Sequence, residues 1–307
     1  MPGGERTPTS PKSPRTPRER LFFVVMLLIP VLFLATLELG LRVGGFGGDH
    51  PLFVDSTAVA GSLEANPEVA RRYMATTGAP FSTIAPIPFR DSKSPDAYRI
   101  VVQGGSSAAG YPYGRWAGLA GMLGDRLEAT FPEHEIEVVT TAMSAVNSHT
   151  LADLAGEIVM IEPDAVLIYA GHNEFVGVMG VGSALTSSGS QFMATLQLKL
   201  RQLRLYQLME WGMAQLKVVA RLLSDDRSSF FAKVASGAQI AYDSETYRAG
   251  IEQFETNLDD LLARYAEAGI SVYIGTLVSN EKDLPPFVGT PDESIDRAEW
   301  DLSLIHI

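Results

Sequence analysis

Short apolar runs that end in small residues, each separated from the next by a helical stretch, constrain this chain more than any other feature. Tyr98–Gln103 (YRIVVQ) runs into Gly104 and Gly105 and reads as a buried strand. Ile136–Val139 reads as a second strand, and Ala165–Ala170 (AVLIYA), apolar on both faces, as a third. Ser271–Leu277 (SVYIGTL) reads as a fourth. Between them, Trp116–Thr130 and Thr150–Ile161 carry apolar residues at helical spacing. Glu245–Glu267 does the same, with Phe254, Leu258, Leu261 and Leu262 on one face and Gly269 as the stop. Strands and helices alternating in this way predict a three-layer α/β/α domain around a parallel, doubly wound, flavodoxin-like sheet.

A different signal precedes that domain. Leu21–Leu37 (LFFVVMLLIPVLFLATL) is apolar throughout, and with the residues up to Leu41 it reaches about 20, the length of a bilayer-spanning helix. Pro30 is compatible with such a helix, because lipid-embedded helices tolerate a kink. Arg6, Lys12, Arg15, Arg18 and Arg20 lie before the run and place the amino terminus in the cytoplasm and the residues after Arg42 outside it. A cleaved signal peptide and a buried core helix are the other readings. The run is longer than a signal core and is followed by no A-x-A pattern, so an uncleaved single-pass anchor over residues 21–42 is expected.

The remaining segments take their roles from composition. Residues 1–20, rich in Pro, Ser, Thr and Arg, read as a disordered tail. Residues 43–95 read as a connector with one short helix near Pro67–Tyr73. The domain itself is expected over residues 96–301, with a helical insertion at about 190–225 whose Leu and Met stripes suit core or cap packing, or a lid. Leu302–Ile307 (LSLIHI) matches the translation of a transposon-adapter end used in sequencing libraries; it is read as an artefact rather than as a native strand, and the domain as incomplete at its C-terminus. A net charge of −12 argues against a nucleic-acid partner. The absence of cysteine excludes disulfides, thiolate nucleophiles and cysteine-based zinc sites.

Three loops follow three of the predicted strands, where a parallel α/β sheet places its ligands. The first is Gly104-Gly105-Ser106-Ser107-Ala108-Ala109-Gly110. Its small residues allow a sharp turn into a helix and leave a hydroxyl at the helix amino terminus, where positive potential favours developing negative charge. No Lys completes a phosphate-binding loop, which leaves a nucleotide-binding α/β protein with little support. The second loop is Thr140-Thr141-Ala142-Met143-Ser144-Ala145-Val146-Asn147-Ser148, and the third is Gly171-His172-Asn173-Glu174. An Asn amide at a strand end, with backbone N–H groups from the other loops, can hold an oxyanion.

In order and position, these loops resemble blocks I, II and III of the SGNH (GDSL-like) hydrolases. The resemblance covers roughly residues 96–280. It implies Ser106 as nucleophile, the Ala145 backbone N–H as an oxyanion donor and Asn173 as the side-chain donor. Gly105 stands where the family has Asp, Ala145 where it usually has Gly, and Glu174 where it usually has Asp. Within the superfamily the chain resembles large envelope-anchored bacterial proteins, some of which continue into tetratricopeptide repeats.

The family's fourth block, D-x-x-H, supplies a base to activate the serine. None of His50, His134, His149, His172 and His306 sits in such a motif, so the catalytic His and Asp are expected beyond this chain. His149 and His172 are the alternatives within it. If the third loop is extended, His172 points away from Ser106. The resemblance therefore implies an esterase working through an acyl-enzyme, inert as this fragment. It needs no metal or organic cofactor and acts on a small-molecule, glycan or lipid ester outside the cytoplasm. Gly105 keeps a second reading open, a non-catalytic ligand-binding or scaffold module.

Overall fold

The computed structural model describes residues 17–73, 84–175, 177–182, 191–222 and 240–278. Most of the amino-terminal tail, the terminal hexapeptide and His306 lie outside them. The chain begins with α1 (Pro17–Val43), which contains Pro30. Its stretch Leu21–Val43 is long and apolar enough to cross a membrane, and none of it is buried against the rest of the chain.

The segment read as a connector carries more structure than its composition suggests. β1 (Phe53–Asp55), β2 (Ser62–Ala65) and β3 (Phe89–Arg90) form an antiparallel sheet in that order, with a 3₁₀ turn at Val69–Arg72. Strands of two to four residues leave too short an alternation to be read from sequence.

The main sheet follows. It comprises β4 (Ala97–Gly104), β5 (Glu135–Thr140), β6 (Ala165–Tyr169) and β7 (Ser271–Ile274), all parallel, in the order β5-β4-β6-β7. The helices between them are α2 (Ser106–Ala109), α3 (Leu119–Thr130) and α4 (Ser148–Met160), followed by α5 (Gln191–Arg201), α6 (Arg204–Leu222) and α7 (Glu245–Glu267). A 3₁₀ turn at Arg115–Ala117 precedes α3, where the sequence suggests one unbroken helix. The described residues thus form the expected α/β architecture. Its winding reverses after β5, so the carboxyl ends of β4 and β6 flank the switch point, where open α/β sheets place their crevice.

Alternation along the strands builds two cores. Val101, Val139, Val166 and Ile168 face Leu154 and Ile158 of α4 and Leu261 and Tyr265 of α7. Val102, Val138 and Leu167 face the opposite way, against Ala108 of α2 and Ala120 and Leu123 of α3. Leu52, Val69, Tyr73, Ile84 and Phe89 join the first core. Polar contacts fasten them there. The Tyr73 hydroxyl donates to Asp153 at 2.6 Å, Arg72 pairs with Glu157 at 2.6 Å, and the Leu52 N–H donates to the same carboxylate at 2.6 Å.

The amino end of β4 holds the least expected buried group. Arg99 is 1% exposed, its guanidinium 5.0 Å from the Phe89 ring centroid. It donates to Glu137 at 2.7 Å and to the Ile161 and Arg90 carbonyls at 2.5 and 2.6 Å. One side chain thereby joins both sheets to the turn after α4.

The long helical stretch breaks at Gln202-Leu203 into α5 and α6. Among its described side chains only Leu198 and Arg204 are buried, so its apolar stripes do not serve core packing against the described residues.

Candidate active site

Glycines bring the first loop to the sheet. A Cβ at Gly104 would lie 2.1 Å from the Tyr169 carbonyl oxygen at the end of β6 and 2.7 Å from the Ala108 Cβ, so nothing larger than glycine fits. Gly105 is extended (φ −89°, ψ −160°) and turns the chain into α2, whose first residue is Ser106. The helix is a single turn, closed by Gly110 at φ 83°. As its first residue, Ser106 has a backbone N–H with no intrahelical acceptor, and its side chain is half-buried. The exposed neighbour Ser107 lies further into the turn.

The other two loops close on this point. The Met143 N–H donates to the Gly104 carbonyl at 3.1 Å, tying the second loop to the first. The Val178 N–H donates to the Ala145 carbonyl at 2.8 Å, and Asn173 Nδ2 donates to the Val146 carbonyl at 3.1 Å, tying the third to the second. Asn173 Nδ2 also lies 3.0 Å from the position a Cβ would take on Gly105, so its amide abuts the residue before Ser106. Only one of its two N–H bonds points at Val146, and an amide has a second to give. The three loops that carry Ser106, Ala145 and Asn173 thus meet at the carboxyl ends of β4, β5 and β6.

Ala145 adopts φ 63°, in the left-handed region. Alanine would cost little here if its backbone angles were ordinary, and they are not. A Cβ in that region costs roughly 1–2 kcal/mol. Ala145→Gly is therefore expected to raise stability by about 1 kcal/mol, offset in part by glycine's unfolded-state entropy. Ala145→Val should lower stability by at least about 1 kcal/mol. Denaturant midpoints of the three proteins check both signs.

A buried polar cluster supports the third loop from behind. Glu174 is 3% exposed, yet its carboxylate accepts the Ser148 backbone N–H at 3.1 Å, the Ser148 hydroxyl at 2.7 Å and Gln253 Nε2 at 2.6 Å. It therefore caps the amino terminus of α4, where helix N–H groups favour an anion. Asn257 on α7 donates to the Ser148 hydroxyl at 2.8 Å and lies 3.1 Å from His149 Nδ1. Sequence reasoning placed Glu174 in the third loop but missed Ser148 and Gln253 as its partners, and Asn257 as the partner of Ser148. The only available signal was two amide side chains one helical turn apart on α7.

The histidines are accounted for separately. His149 faces α7 within this cluster, and burial lowers its pKa, with Gln253 and Glu174 acting weakly in the opposite direction. Its unfolded form therefore takes up a proton at higher pH than its folded form. The stability this gives is fully present above the ordinary imidazole value of about 6.5 and is lost as pH falls through the lower folded value. Unfolding midpoints of wild type and His149→Gln should diverge below about pH 6.5, with the wild type losing stability more steeply. His172 lies in a turn rather than an extended loop; its ring packs edge-on against Tyr169 at 5.5 Å, and Nε2 lies 3.4 Å from the Val278 carbonyl. His134 is exposed beside Glu133, and His50 adjoins Gly48 before β1. None of these contacts reaches Ser106. Among the described residues no cluster of His, Asp and Glu is arranged to hold a metal.

No family model and no curated protein matches the chain. Among solved structures it is similar to a lipolytic protein of the G-D-S-L family from Desulfitobacterium hafniense, at 14% identity, 57% of this chain, 76% of that one and TM-score 0.26. It is similar to the psychrotrophic esterase EstA from Pseudoalteromonas sp. at 14% identity, 58% of this chain, 76% of that one and TM-score 0.28. It is also similar to the acetylxylan esterase Axe2 from Geobacillus stearothermophilus at 15% identity, 57% of this chain, 74% of that one and TM-score 0.27.

Proposed function

We propose that this chain carries the nucleophile and oxyanion donors of an SGNH-type serine ester hydrolase. The observation that supports this reading best is the Asn173 amide lying against Gly105, one residue before Ser106. In the proposed reaction Ser106 Oγ attacks the ester carbonyl carbon, and its proton passes to a histidine base. The carbonyl oxygen becomes an oxyanion held by the Ser106 and Ala145 N–H groups and by Asn173 Nδ2. The intermediate collapses, the C–O bond breaks, and the alcohol leaves with a proton from the same histidine. Water, deprotonated by that base, then hydrolyses the acyl-serine and releases the acid. The base is assigned to a D-x-x-H block, which none of the histidines of these 307 residues forms, so the activity is proposed for a protein that carries that block.

The same reading takes α1 as an uncleaved anchor with the domain outside the cytoplasm. Acyl groups on envelope glycans or lipids are then the substrate class within reach. A cysteine at Ala60, exposed between β1 and β2, should react with an impermeant thiol reagent on intact cells; labelling only after lysis would place the domain inside.

A fluorophosphonate probe tests the chemistry. It should modify Ser106 in a protein that carries the D-x-x-H block, as read by peptide mass spectrometry, and that protein should hydrolyse a small activated ester. Absence of both would favour the ligand-binding module that Gly105 leaves open.

A further inference from the structure

The foot of the α5–α6 hairpin is fastened to the exit end of α1. The Glu38 carboxylate accepts the Arg204 and Leu205 N–H groups at 3.1 and 2.9 Å, capping α6, while Arg42 holds the same carboxylate at 2.8 Å. Gln207 exchanges two hydrogen bonds with Gly48, at 2.9 and 3.0 Å, and Phe46 packs edge-on against Trp211 at 6.4 Å. The hairpin therefore starts at the level where an apolar helix ending at Val43 would leave the hydrocarbon. Leu39 and Val43 on that helix are themselves exposed.

From this foot two apolar stripes run outward. Met193, Leu196 and Leu200 share one face of α5 at spacings of three and four residues. Met209, Met213 and Leu216 share one face of α6 at spacings of four and three. All six are 37–72% exposed. The charge of the same segment runs against that of the chain. Arg201 pairs with Glu210 at 2.7 Å and Arg204 with Asp49 at 3.0 Å, and beyond these two arginines the sequence of residues 191–222 holds Lys199, Lys217 and Arg221 and no further acid, in a protein of net charge −12. An amphipathic, basic helical pair with free apolar faces, tethered beside a spanning helix, has the chemistry of an interfacial element.

We propose that α5 and α6 lie on the bilayer, their Met/Leu stripes in the headgroup–acyl boundary and the exposed Lys199 among anionic headgroups. The inference rests on α1 being a membrane helix and is independent of the esterase chemistry. It makes the bilayer, rather than a lid position over Ser106, the partner of this insertion. It also fixes the height and orientation of the domain that a single flexible anchor would leave free.

The chain contains no cysteine, which makes single-cysteine labelling clean. An environment-sensitive fluorophore is placed at Leu196→Cys, Met213→Cys or Leu216→Cys in the full chain. Each protein is reconstituted in vesicles of phosphatidylcholine and phosphatidylglycerol bearing nitroxide-labelled lipid. Leu28→Cys in α1 and the exposed Asp125→Cys on α3 serve as references. The three hairpin probes should emit to the blue and be quenched by the lipid nitroxides, as at Leu28, while Asp125 stays unquenched. Quenching should fall in vesicles of phosphatidylcholine alone. Solvent-like emission at the hairpin beside a quenched Leu28 overturns the proposal and leaves the anchor intact. Blue-shifted but unquenched probes overturn it too, because another protein surface then covers the stripes. An unquenched Leu28 removes anchor and proposal together, with labelling of Ser106 by the fluorophosphonate unaffected.

Discussion

On the proposed reaction, Ser106→Ala is expected to take ester hydrolysis down to background, a loss on the order of 10⁶ in kcat for a serine enzyme deprived of its nucleophile. Asn173→Ala should leave a measurable remainder, because it removes one oxyanion donor worth roughly 10²–10³ in rate. The two losses differ in kind. Without Ser106 no acyl-enzyme can form, and whatever rate persists comes from water attacking a bound ester. Without Asn173 the acyl-enzyme still forms, but its tetrahedral precursor keeps only the backbone donors of the first two loops. The oxyanion exists only on the way to the transition state, so the Asn173 loss should fall on kcat with little change in KM. Steady-state kinetics with an activated ester, beside circular dichroism to verify folding, separates the cases. Wild-type activity in Ser106→Ala would remove Ser106 as nucleophile. A rise in KM alone for Asn173→Ala would make Asn173 a substrate-binding group instead.

How much of this was legible in the sequence depends on the range over which each feature is encoded. β4, β6 and α7 could be read because apolar period and stop residues are local: Glu245–Glu267 has the same bounds in sequence and structure, and Gly269 follows it at φ 72°. The three loops could be read because each follows a strand, and a parallel sheet puts every strand's carboxyl end on one edge. What could not be read is set by contacts between distant segments. β1, β2 and β3 exist because Leu52, Val69, Tyr73, Ile84 and Phe89 reach the first core, which a Gly- and Pro-rich composition does not announce. The left-handed backbone of Ala145 accompanies a hydrogen bond that its carbonyl accepts from the Val178 N–H, far along the chain. Glu174 carries the same charge at the same place as a family Asp, but its reach to Ser148 and Gln253 depends on how α4 meets α7. Arg99, fully buried in a strand read from its apolar run, is the sharpest departure.

Arg99→Met is expected to cost about 3–5 kcal/mol, the loss that follows when one partner of a buried ion pair is removed. Methionine fills much of the arginine's volume and keeps contact with Phe89, so the loss is electrostatic rather than a cavity. Three acceptors are stranded by the change. Glu137 loses the guanidinium at 2.7 Å but keeps the Arg90 N–H at 3.0 Å, and the Ile161 and Arg90 carbonyls lose donors at 2.5 and 2.6 Å. A carboxylate left with one partial partner in a nearly buried position either stays charged at high cost or takes up a proton. Against a typical total stability of about 5–15 kcal/mol, such a loss takes up much of the margin. It should be felt first where the small sheet meets β4, since Arg99 bridges Arg90, Glu137 and Ile161. The double variant Arg99→Met/Glu137→Leu distinguishes this account from simple loss of packing. Removing the stranded carboxylate should recover a large part of the midpoint lost by Arg99→Met, because a buried pair replaced whole by apolar groups is often neutral. Denaturant unfolding of the full chain in detergent micelles measures both. If the double variant is no more stable than the single one, the stranded charge is not the cause. The role of Arg99 then reduces to the two carbonyls it satisfies and the ring it covers.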